Sequence, residues 1–175
     1  SLVPLQGTLI ESLDFSENSR MCDLPNGAFS GLVLKSLRLV NTRATKKPCM
    51  NINVKGLNNL TLDSLDLSGN VLISVPDFAL YDETLSFRKS LRELTITHNV
   101  LNSDLIFEWV IFEGMDNLKI LDMSENSWEV AWIVFDDDFI TTLPNLQELY
   151  LSGNRISAFC FHEYAPLQVL DLMNN

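Results

Sequence analysis

The sequence predicts an α/β solenoid: a curved horseshoe with one parallel β-sheet on its concave face and an irregular or short-helical convex side. Three observations lead there. A pattern L-x-x-L-x-L-x-x-N recurs seven times, its copies are nearly evenly spaced, and apolar and polar residues alternate within each copy. The copies begin at Ile10, Leu34, Leu62, Leu91, Leu118, Leu146 and Leu167, separated by 24, 28, 29, 27, 28 and 21 residues. The whole of residues 1–175 reads as one array of about seven repeats.

The L-x-L centre of each copy has the period of a strand, so Leu65 and Leu67 point inward while Asp66 points out. Such a strand is too short to persist alone and is expected to pair with the same strand of the next repeat. The closing asparagine falls where the chain leaves the sheet. Its amide offers both donors and an acceptor, enough to satisfy backbone groups in two neighbouring turns. Asn18, Asn70, Asn99, Asn126, Asn154 and Asn175 are the expected ladder, with Thr42 a weak rung in the second repeat. Two further apolar positions recur. Leu72, Leu101, Trp128 and Ile156 follow the asparagine by two, and Phe29, Phe112, Phe139 and Phe161 precede the next strand. These are assigned to the floor and back wall of the core.

Apolar residues make up 46% and charged residues 20%, a globular balance rather than a disordered one. No run of apolar residues is long enough to span a bilayer, so no membrane contact is expected of this segment. The formal net charge is −11, and the basic residues cluster only at 43–47. A nucleic-acid partner normally requires a basic stripe and is therefore not expected. Only His98 and His162 offer an imidazole base, and neither lies in a catalytic motif. No enzyme and no cofactor are read.

The frame N-x-φ…F-x-x-L-x-x-L-x-x-L-x-L-x-x-N, clearest in Asn154-Arg155-Ile156 and Phe139–Leu146, resembles the leucine-rich repeat of animal extracellular proteins. Irregular repeats of 27–29 residues are most similar to the ectodomains of Toll-like receptors. That resemblance implies an innate immune receptor that binds a protein or microbial ligand and dimerises. An extracellular matrix or adhesion protein, or an intracellular scaffold, stays open beside it. Neither end shows the cysteine cluster that caps such arrays, so the chain is expected to be an uncapped fragment of a larger protein.

Cys22 and Cys49 fall on the return paths of adjacent repeats. Neighbouring strands lie about 4.8 Å apart, close to the Cα separation a disulfide needs. A Cys22–Cys49 bridge is one reading, two buried thiols the other. Cys160 is assigned to the core. Asn59-Leu60-Thr61 is the one N-x-S/T sequon and makes Asn59 a candidate for glycosylation in an extracellular setting.

Two surfaces are candidate binding sites. Asp14, Arg38, Asp66, Thr95, Asp122, Tyr150 and Asp171 occupy the outward position of each strand and suit a basic ligand. The other reading makes the aspartates solvated members of a common repeat. Trp109 and Trp132 sit in the variable segments, away from the recurrent core positions, as a candidate lateral interface. Against that, both could pack the convex core in short helical turns. Asp136-Asp137-Asp138 reads as a solvated acidic turn rather than a calcium site.

Overall fold

The computed structural model describes residues 10–18, 26–41, 54–70, 86–101, 109–130, 133–135, 137–161 and 166–175. Seven strands form one parallel sheet: β1 (Ser12–Asp14), β2 (Val33–Arg38), β3 (Thr61–Asp66), β4 (Glu93–Thr95), β5 (Ile120–Asp122), β8 (Glu148–Tyr150) and β11 (Val169–Asp171). They follow one another in chain order, each from one repeat, as the seven motif copies predict. The α/β solenoid expected from the repeat is the observed architecture.

Register follows from burial. Leu37, Leu65, Leu94, Leu121 and Leu149 stand opposite one another across the sheet, and every one is buried to the last percent. Slipping any strand by one residue would carry its leucine to solvent and an acidic or polar neighbour inward. A second layer, Leu39, Leu67, Ile96, Met123 and Leu151, lies just beyond the strands. The back wall is Phe29, Phe87, Phe112, Phe135 and Phe139, all fully buried. Phe87 plays the part that the sequence frame gave to Phe29, Phe112 and Phe139. The side chains of Leu72 and Phe161 lie outside the described residues.

Where each strand ends, the chain turns through one left-handed residue. Glu17, Asn41, Gly69, His98, Glu125, Gly153 and Asn174 all have φ between 51° and 70°. The backbone N–H of that residue donates to a carbonyl of the next repeat, as Gly69 does to Thr97 and Glu125 to Ser152. The ladder asparagine comes next in the chain. Asn126 Nδ2 donates to the carbonyls of Met123 (2.7 Å), Ser124 (3.0 Å) and, one repeat back, Ile96 (3.0 Å). Its Oδ1 accepts from the Asn99 backbone N–H, while Asn126 N donates to Asn154 Oδ1 (3.1 Å). Asn70, Asn99 and Asn154 repeat the pattern and are buried. Asn18 and Asn175 belong to the same column but are exposed. Thr42 lies outside the described residues.

The convex side departs from expectation in two repeats. Three 3₁₀ turns, Val54–Leu57, Ser86–Lys89 and Trp109–Phe112, and the short helix α1 (Asp137–Thr142) fit a short-helical wall. The segment after Asn126, however, is extended. Strand β6 (Glu129–Val130) pairs with β9 (Arg155–Ile156), and β7 (Ile133–Phe135) with β10 (Phe159–Phe161), both in parallel. Valine, isoleucine and phenylalanine dominate these stretches, and such side chains favour a pleated surface. Asp137 and Asp138 open α1, where a helix start favours negative charge. Asp136 is outside the described residues.

Candidate functional site

The outward strand positions form a continuous column. Asp14, Arg38, Asp66, Thr95, Asp122, Tyr150 and Asp171 stand in register from β1 to β11. The structure thus brings together all seven residues singled out in the sequence. Strands place their side chains alternately, so the residue two before each of these shares the concave face. Those residues are Ser12, Ser36, Ser64, Glu93, Ile120, Glu148 and Val169.

Charge divides this face into two halves. In the first, Arg38 bridges two strands, its Nε 3.3 Å from Asp66 Oδ2 and its Nη1 3.5 Å from Asp14 Oδ2. A cation between two carboxylates leaves little net field. In the second, β4, β5, β8 and β11 present Glu93, Asp122, Glu148 and Asp171, and contain no lysine or arginine. Arg92 and Lys119 stand just before β4 and β5, at the rim. Tyr150 lies between Asp122 and Asp171, and its hydroxyl donates to Glu148 Oε2 at 2.7 Å. That hydrogen bond, with the surrounding carboxylates, raises the phenol above its ordinary value. The ring is therefore fixed, protonated and half-exposed amid negative charge.

Three aspartates of the column do more than sit in solvent. Asp14, Asp66 and Asp122 each accept a hydrogen bond from the backbone N–H of the serine two residues on, at 2.8, 3.0 and 3.0 Å. Asp171 accepts likewise from Met173. These local turns hold one carboxylate oxygen and leave the other facing the concave side. The Ser16 bonds, above all, hold Asp14 below the usual carboxylate value. The D-x-S spacing in L-D-L-S carries this signal, since aspartate commonly bonds its own backbone two residues on.

Of the second candidate surface, Trp109 alone lies among the described residues, and its expected exposure is corrected. Trp109 is only 6% exposed and packs edge-on to Phe139 at 4.7 Å, with Phe135 at 5.9 Å. Its indole N–H donates to the Val134 carbonyl at 3.1 Å. It is a core residue, placed there by the 3₁₀ turn and by the aromatic wall behind it. Trp132 lies outside the described residues. Cys160, assigned to the core from sequence, is exposed instead. On β10 it pairs with exposed Val134, and the preceding Phe159 is 52% exposed as well, so this stretch of β10 is open to solvent. Cys22, Cys49 and His162 lie outside the described residues. His98 is exposed at its left-handed turn, Nδ1 3.2 Å from Thr97 Oγ1.

A second set of asparagines escaped the sequence reading. Asn117 and Asn145, each just before a repeat's first leucine, donate through Nδ2 to the backbone carbonyls of Lys89 and Asp116 in the preceding repeat, both at 2.7 Å. Their constant place before that leucine was the available signal. Among the described residues, no group of three or more His, Cys, Asp or Glu is arranged to hold a metal ion. No helix among them is long and apolar enough to cross a membrane.

One strand per repeat, a buried asparagine ladder and a wall of short turns define a leucine-rich repeat solenoid. The family described as Leucine Rich Repeat matches residues 145–163. Over 95% of its length the chain is similar to Toll-like receptor 2 of Ovis aries, at 27% identity, and of Boselaphus tragocamelus, at 28%. The chain spans 19% of the length of these relatives. The chain has the architecture of a leucine-rich repeat solenoid and resembles part of a Toll-like receptor ectodomain.

Proposed function

We propose that this chain is a ligand-binding segment of an extracellular innate immune receptor of the Toll-like kind, and that its concave sheet takes a basic protein partner. The observation that carries the reading is the Asp122–Tyr150–Asp171 column, with Glu148 behind it and no cation on those strands. An aromatic face attracts a lysine or arginine, and flanking carboxylates add charge-assisted hydrogen bonds. The similarity to Toll-like receptors supports an extracellular setting, and dimerisation belongs to the longer protein.

The test compares two variants that each remove two negative charges. One is Asp122→Asn with Asp171→Asn on the concave face; the other is Asp137→Asn with Asp138→Asn on α1. Binding of an arginine-rich peptide is measured by calorimetry at two salt concentrations. The concave pair should weaken binding roughly tenfold, about 1.4 kcal/mol, and the helix pair far less. Equal losses would mean that net charge alone attracts the probe, and the concave site would be abandoned.

A further inference from the structure

On the flank where β2 and β3 begin, three residues are arranged out, in, out. Asn59 is exposed, Leu60 is fully buried, and Thr61, the first residue of β3, is exposed. The buried leucine anchors the turn, while the two residues that define the sequon both face solvent. Asn59 has φ of 58°, a left-handed conformation that asparagine tolerates better than most residues. The turn is clamped onto the preceding repeat: Gly31 N–H donates to the Asn59 carbonyl (2.9 Å) and Thr61 N–H to that of Leu32 (3.1 Å). These bonds set Asn59 against Gly31, two residues before the point where Val33 pairs in register with Thr61. Val33 is 74% exposed, the most of any large apolar residue described.

We infer that Asn59 carries an N-linked oligosaccharide whose first sugars lie over Val33 and close this flank of the sheet. The reaction joins the Asn59 Nδ2 to the anomeric carbon of a lipid-diphosphate-linked oligosaccharide. The anomeric C–O bond to the diphosphate breaks, and the amide proton leaves with the released lipid diphosphate. Sugar rings present apolar C–H faces, which suit an exposed valine better than water does. With this flank covered, a partner reaches the sheet from its concave face or from the opposite flank. The inference rests on the extracellular reading, but not on which concave residues bind.

The experiment secretes the chain from cultured animal cells and maps its peptides after enzymatic deglycosylation in heavy-oxygen water. Asn59 should appear as labelled aspartate in the natural chain and in Thr61→Ser, and unlabelled in Thr61→Ala. Hydroxyl-radical footprinting should then mark Val33 several-fold more strongly in Thr61→Ala than in the glycosylated chain. Thr61 is exposed, so its loss leaves the core intact. A bare Asn59 in the secreted, folded chain overturns the proposal, and equal marking of Val33 overturns its coverage. Either failure leaves the comparison of Asp122/Asp171 with Asp137/Asp138 standing, because that test requires no sugar.

Discussion

Asn126 reaches four backbone groups in two repeats with one short side chain, and that reach leaves little room for another residue type. Aspartate has the shape but no donor, and alanine has neither donor nor acceptor. Removing the amide takes one donor each from the buried carbonyls of Ile96 and Met123, which keep Asn99 Nδ2 and Asn154 Nδ2, and takes from the buried N–H of Asn99 its Oδ1 acceptor. Each lost hydrogen bond contributes about 0.5–1.5 kcal/mol. Asn126→Ala should therefore lower unfolding free energy by about 3 kcal/mol or more, and Asn126→Asp should do no better. Asn18 makes two of these bonds on exposed ground, so Asn18→Ala should cost under about 1 kcal/mol. Urea denaturation of the variants decides it, and equal costs would remove burial from the explanation.

At the scale of the strand, one residue separates ruin from indifference. Leu94 lies in the innermost row and Thr95 beside it faces the concave side. Leu94→Asp should abolish the folded state, since an unpaired buried carboxylate costs several kcal/mol. Thr95→Asp should shift stability by roughly 0.5 kcal/mol or less. Similar thermal melts for the two would mean the register is misread. These strands, the ladder and the concave column were legible in the sequence because each depends on a fixed offset within the repeat. The segments between them have no such offset, and what they become depends on the neighbours they meet. Trp109 is buried because Phe135 and Phe139 from the next turn close over it. Cys160 is exposed on β10, whose pairing with β7 is an arrangement that two separate apolar stretches do not announce.

Across the whole molecule, each strand contacts only its two neighbours, so stability is a chain of local terms rather than one central core. Leu37 and Leu149 are equally buried, yet β3, β4 and β5 stand between their strands. Leu37→Ala should cost about 2–5 kcal/mol. It should speed amide exchange through β1–β3 while leaving β8 close to its original protection. Uniform acceleration along the sheet would show that the array opens as one unit. The left-handed turns add a constraint that also passes between neighbours. A methyl group on Gly69 would collide with the Asn41 side chain, and one on Gly153 with the Glu125 carboxylate. At these two junctions a side chain in one repeat occupies the space that a glycine leaves in the next, whereas Glu17 is followed by Asn41, which instead hydrogen-bonds to it. The repeats are therefore unequal parts. A duplication placing a non-glycine residue after Asn41 or Glu125 would have to move that side chain aside, so inherited change at these two sites is coupled between neighbours.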